Sequence, residues 1–154
     1  MKRTIGLLVA FGAAIALAVS LSGGAIADII IPLKVSLSNG QCTTNANNSL
    51  TCSGDLTGLG SQTADIKVTS GFACENRGGN QPPGQVSGTG KSTPPDSNGH
   101  ATFNVTTDAA SCPDQMKPIF TGTEACPGQA QVDVTQNFAN RTKTTTFCVP
   151  ITPA

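Results

Sequence analysis

The 154-residue chain contains no tryptophan, no tyrosine and one histidine, His100, and 12% of its residues are charged. Each shortage weakens a class of function. Sugar-binding β-proteins commonly stack rings on exposed Trp or Tyr, so their absence argues against a carbohydrate module. One histidine leaves little for a Cys/His zinc site, and the cysteines show no C-x-x-C spacing. Nucleophilic catalysis needs a base beside the nucleophile; His100 follows an Asn98-Gly99 turn and opens a strand pattern, a solvent-facing place, and no serine lies in a G-x-S-x-G elbow. Charge is balanced at nine basic and nine acidic residues. Such a chain has no electrostatic footprint for nucleic acid, and no polybasic or amphipathic segment for a membrane surface.

The one long apolar run is N-terminal. Met1-Lys2-Arg3 is a basic head, Ile5–Leu21 is apolar apart from Gly6, Gly12 and Ser20, and Ser22-Gly23-Gly24 precedes Ala25-Ile26-Ala27. Basic head, apolar core and small-x-small site define a secretory signal peptide, residues 1–27, with cleavage after Ala27. No basic stop-transfer cluster comes after it, which disfavours an uncleaved anchor. The remaining 127 residues, 28–154, fit one domain and carry seven basic against nine acidic side chains. The expected location is secreted or cell-surface, with no membrane contact after cleavage.

All six cysteines, Cys42, Cys52, Cys74, Cys112, Cys126 and Cys148, fall in that mature part. An even number in an exported chain reads as a disulfide framework.

The mature sequence alternates with period two. Ala64, Ile66, Val68, Phe72 and Cys74 share one face, with Ser70 the exception; Asp65, Lys67 and Thr69 take the other. Ala101, Phe103 and Val105 alternate likewise after the Asn98-Gly99 turn, as do Ala130, Val132, Val134 and Phe138. Thr144–Ile151 reads as a last strand that Pro150 confines to an edge or ends. Ile29–Leu37 and Ser49–Ser53 are further strands, with Gln85–Thr93 and Lys117–Thr123 weaker ones. Turn clusters Ser38-Asn39-Gly40, Asn45–Asn48, Asn76–Gly84 and Pro94–Gly99 separate them. No segment has a sustained helical period. Seven or eight short strands predict an all-β fold, a single disulfide-stapled β-sandwich of immunoglobulin-like type.

Three stretches carry a resemblance: Cys52-Ser53-Gly54-Asp55-Leu56-Thr57-Gly58-Leu59-Gly60, then Cys74-Glu75-Asn76-Arg77-Gly78-Gly79-Asn80-Gln81-Pro82-Pro83-Gly84-Gln85, and Cys112-Pro113. Together they resemble a largely uncharacterised family of small exported bacterial β-rich proteins with a G-L-G turn and a C-x-N-x-G-G-N-x-x-P-G-Q loop. The resemblance spans about Cys52 to the C-terminus. It implies export and a β-rich domain, and it carries over no activity, substrate or catalytic residue. Six cysteines allow fifteen pairings, and spacing does not choose among them. The resemblance implies Cys74 with Cys112 as the recurrent pair. Cys42 and Cys52 flank the Asn45–Asn48 turn nearly symmetrically and suit a hairpin cross-link, which leaves Cys126 with Cys148.

In the loop, Gly78-Gly79 permits positive φ, Asn80 tolerates it and Pro82-Pro83 stiffens the residues after it. Asn76, Arg77, Gly78, Gly79, Asn80 and Gln85 are therefore a candidate binding surface, against the plainer reading of a tight corner. The acids Asp28, Asp55, Asp65, Glu75, Asp96, Asp108, Asp114, Glu124 and Asp133 show no spacing that predicts a catalytic pair. Asp108 and Asp114 across the Cys112 loop lack a calcium-loop array. The sequons at Asn47, Asn104 and Asn140 are ordinary in a Thr- and Asn-rich chain.

The expected function is an exported, non-enzymatic binding or surface-structural protein without catalytic residue, cofactor or metal; the partner is an unknown extracellular molecule or small ligand. One alternative is a small-ligand carrier or inhibitor. Asn98-Gly99-His100-Ala101 is similar to a turn in the apoproteins of enediyne antibiotics, an analogy at the level of fold. The other is a carboxylate-dependent hydrolase. An apolar cleft favours the carrier, a close carboxylate pair with a raised pKa favours the enzyme, and a flat polar surface favours the structural role.

Overall fold

Period-two sequence becomes strand wherever one face finds apolar company. The computed structural model describes residues 34–75, 83–113 and 116–153. Eight strands account for most of them: β1 Ser36–Thr44, β2 Leu50–Thr57, β3 Asp65–Cys74, β4 Gly84–Lys91, β5 Ala101–Thr106, β6 Pro118–Gly122, β7 Gln129–Phe138 and β8 Arg141–Thr152. No α-helix occurs among the described residues. The chain divides into units Met1–Ile30 and Ile31–Ala154, and the strands belong to the second. The expected leader 1–27, its cleavage after Ala27 and residues 29–33 of the expected first strand lie outside the described residues, as do Asn76, Arg77, Gly78, Gly79, Asn80 and Asp114.

The strands form one mixed sheet in the order β4-β3-β7-β8-β1-β2-β5, with β6 paired to β3 off that path. Neighbours are antiparallel except β1 and β8, which pair in parallel through Cys42 with Ile151 and Thr43 with Thr152. The sheet curls until its two end strands touch. A Cβ at Gly88 of β4 would run into the Thr106 carbonyl oxygen of β5. Only glycine allows that approach.

Inward residues build one main core. Leu50, Cys52 and Leu56 of β2, Ile66 and Val68 of β3, and Val132 and Val134 of β7 are almost wholly buried, with Ala101, Phe103 and Val105 of β5 beside them. Full burial of each Val, Leu, Ile or Phe contributes about 1.5–3 kcal/mol. A smaller cluster of Phe72, Val86 and Ala110 sits under the end of β3. The Ser70 exception to the apolar alternation is also buried, and its hydroxyl donates to the Gly71 carbonyl at 3.1 Å.

Disulfides join Cys42 to Cys52, Cys74 to Cys112 and Cys126 to Cys148. The first links directly opposed residues of β1 and β2 in the core. The second ties the end of β3 to the segment after β5. The third ties the turn before β7 to β8.

Two local expectations are corrected. Ser38-Asn39-Gly40 is not a turn between strands: it lies inside β1 as a bulge, with the register to β2 shifting between Ser38 and Gln41 and Asn39 at φ 51°. The positive φ that suggested a turn serves to kink the strand. Nor does Pro150 place β8 at an edge, because β8 has β7 on one side and β1 on the other. Ala64 C=O accepts from Ser92 N at 3.0 Å, so the even residues of β3 bond toward β4 and the odd ones toward β7. The same alternation carried across β7 puts Ala130 and Val149 in hydrogen-bonded register. It turns the Pro150 nitrogen away from β7, at a point where β1 does not yet pair.

The contact between the sheet ends makes a stability prediction. Gly88→Val should lower stability by about 1–3 kcal/mol through overpacking. Thr89→Ser, on the exposed face of the same strand, should stay within about 0.5 kcal/mol of wild type. Urea midpoints at constant m-value provide the comparison.

Candidate functional site

The loop singled out by sequence is described only at its two ends. Phe72 of β3 is registered opposite Gly84 of β4, and the Phe72 ring lies where a Gly84 Cβ would be. This explains glycine in the P-G-Q part of the motif. Glu75 N–H donates to Lys117 C=O at 3.3 Å, and the Cys74–Cys112 disulfide sits beside it. Gln85 is exposed on β4 opposite Gly71.

A second place gathers residues that spacing kept apart. Asp96 Oδ1 accepts from the backbone N–H groups of Asn98 at 2.8 Å and His100 at 2.9 Å. Gly99 N donates to Asp96 C=O at 3.0 Å, and Leu59 N of the Gly58-Leu59-Gly60 turn donates to Gly99 C=O at 3.2 Å. Buried Gln136 of β7 clamps the same turn from below, its Nε2 donating to Leu59 C=O at 3.1 Å while its Oε1 is buried without a partner. Next to these turns, Ser38, Asp55, Thr57, Thr93, Asp96, His100 and Thr102 line an open groove of about 500 Å³. Asp55 Oδ2 accepts from Asn39 Nδ2 at 2.7 Å, and His100 Nδ1 stands 3.9 Å from Asp96 Oδ2 with its side chain 58% exposed.

The backbone donors of His100 and Asn98 hold the Asp96 carboxyl below its ordinary value of 3.8. A general acid needs the opposite shift. Asp96 is a turn-holding anion, and the groove beside it presents threonine and serine hydroxyls, the Asp55 carboxylate and the His100 imidazole.

The third place is a groove of about 390 Å³ between β6 and the ends of β1 and β8. Pro118, Ile119 and Phe120 of β6 face Ile151 and Pro153, with Asn45, Asn48 and Lys117 at its rim. Ile119 is half exposed and is the one large exposed apolar side chain among the described residues.

Elsewhere the outward faces are polar and bonded to themselves. Asn137 Nδ2 donates to Asp65 at 2.7 Å, Thr146 Oγ1 to Asp133 at 2.7 Å, and Thr142 Oγ1 to Asn137 Oδ1 at 3.1 Å; the Thr135 and Thr144 hydroxyls meet at 2.9 Å. On the opposite wall the Thr51 and Thr106 hydroxyls meet at 2.8 Å.

Sequence reasoning missed the meeting of Asp55, Asp96 and His100, the Gln136 clamp and the β6 groove, because each depends on strand register. A weak signal existed for Gln136, a polar residue in the apolar phase of β7. No group of three or more His, Cys, Asp or Glu side chains placed to hold a metal occurs among the described residues. Comparison with family models, with curated proteins and with solved structures finds no match to this chain.

The Asp96 turn carries a pH prediction. Folding depresses this pKa, so its stabilisation is present above the unfolded-state value near 3.8 and is lost as pH falls through the lower folded value. Asp96→Ala should lower the urea midpoint at neutral pH and lower it by less at about pH 2. An equal deficit at both pH values would show that the carboxylate charge is not what holds the turn.

Proposed function

We propose that this chain is an exported, non-enzymatic binding protein built as an immunoglobulin-like sandwich, with residues 1–27 removed after Ala27. Three disulfides fit an oxidising compartment outside the cytosol. No helix among the described residues is long and apolar enough to cross a membrane. The sandwich reading is supported by the shortness of the ladder at which β8 passes from β7 to β1, two residue pairs, and by the single core that the two groups of strands share. Membership of the small exported bacterial family belongs to the same proposal and rests on the G-L-G and C-x-N-x-G-G-N-x-x-P-G-Q residues.

One observation carries the binding reading. The outward faces are polar and largely satisfied among themselves, while the one large exposed apolar side chain among the described residues, Ile119, borders the groove beside β6. A lone exposed apolar residue is ordinary; one set beside a groove that Pro118, Phe120, Ile151 and Pro153 also line supports a contact site. The apolar part of that lining favours a small-ligand carrier as the second reading. The hydrolase reading is the least supported, since Asp96 is committed to its turn.

The unreduced intact mass of the protein recovered from culture medium tests this. It should begin at Asp28 and fall six hydrogens short of the reduced chain, and purified material should turn over neither glycoside nor ester substrates. Full-length protein with free thiols in the cytosol, or turnover abolished by Asp55→Ala, would overturn it.

A further inference from the structure

We propose that the groove beside β6 receives an extended peptide as an added strand, apolar at alternate positions and carrying a carboxylate set against Lys117. The inference rests on the proposed binding function and names the chemistry of its partner. Its physical basis is the hydrogen-bond alternation of the ladder. Glu75 N–H donates to Lys117 C=O, and the pairs below it run Cys74–Pro118, Ala73–Ile119 and Phe72–Phe120. In an antiparallel pair, bonded and non-bonded pairs alternate, so Ile119 bonds to β3 and Phe120 does not. The N–H and C=O of Phe120 and the C=O of Pro118 therefore point away from β3. Among the described residues no strand pairs with that edge over Pro118–Phe120; beyond it Gly122 bridges Pro127 and Thr121 C=O accepts from Gly128 N–H at 2.8 Å, so the open stretch is Pro118–Phe120.

The edge opens into a groove with both apolar and polar residues in its lining. Phe120, Ile119, Ile151 and Pro153 line it, and Lys117 is the one charged residue among its lining. Strand addition uses free main-chain groups for affinity and side-chain pockets for register, and both are present here. Pro118 and Lys117 also blunt one end of the edge against indiscriminate pairing, as edge strands commonly require. With one donor and two acceptors available, binding is short-range and weak, and the charge at Lys117 selects among apolar segments.

The test uses the mature protein, labelled with nitrogen-15, and a short peptide of alternating valine and threonine with a free C-terminal carboxylate. Amide shifts should concentrate at Ile119, Phe120 and Ile151. Methylating the peptide nitrogens on the pairing edge should weaken binding about tenfold or more, the loss expected for one or two main-chain bonds. C-terminal amidation should weaken it about two- to fivefold, and Lys117→Glu should erase or reverse that preference. Ile119→Thr, a substitution at an exposed strand position, should weaken binding with the remaining amide spectrum unchanged.

Several results would overturn the inference: no shift at millimolar peptide, shifts at another surface, or equal binding of the methylated peptide. So would a groove already covered by a second copy in sedimentation analysis. Displacement of a bound small apolar molecule by nothing but similar molecules would overturn it too, and would assign the groove to a carrier. None of these outcomes bears on export, cleavage or the disulfides, which the intact-mass measurement tests, so the two failures are distinguishable.

Discussion

One strand with two different partners organises this molecule. β8 runs antiparallel to β7 from Arg141 to Pro150 and then pairs in parallel with β1 at Ile151 and Thr152. The parallel ladder is two residues long, yet it is the only pairing among the described strands that joins β1, β2 and β5 to the rest of the sheet. It forces the sheet to curl, brings β4 against β5 and encloses the apolar residues of both parts. Where β8 leaves β7, its end and the end of β1 stand opposite β6, and the groove lies between them. Fold and candidate site thus share one cause.

The disulfides act within this frame. Each joins neighbours: β1 to β2, the end of β3 to the segment after β5, and the turn before β7 to β8. Loop closure restricts the unfolded chain most for Cys74–Cys112, with a sequence separation of 38, and least for Cys42–Cys52, with 10. The two walls of the molecule are held together by close packing of Leu, Ile, Val and Phe side chains. The outward threonines, asparagines and aspartates bond across strands and reinforce pairing from the solvent side. A chain with no Trp or Tyr thereby builds a core from small branched residues and fixes its surface with hydroxyls and amides.

Much of the β-structure is legible in the residues. The alternation over Ala64–Cys74, Ala101–Val105 and Ala130–Phe138 appears as β3, β5 and β7 because each apolar phase meets a buried wall. The disulfide framework is legible from an even set of cysteines. Asn39-Gly40 misleads because a strand bulge and a reverse turn both require positive φ. Pro150 misleads because a proline is incompatible only with the side of a strand its nitrogen faces. The candidate sites are far less legible. Asp55 and Asp96 lie 41 positions apart in a chain whose hairpins bring them to one groove. The free edge of β6 depends on the parity of a ladder with β3, which no local pattern encodes.

The most direct measurement is residue-resolved amide hydrogen exchange of the free protein along β6. If β6 pairs on one side only, the Ile119 amide exchanges slowly, at a rate comparable to its neighbours in β3, and the Phe120 amide exchanges orders of magnitude faster. Equal, strong protection of both amides would mean that this edge is already occupied, and the account of the groove as an open binding edge would be wrong.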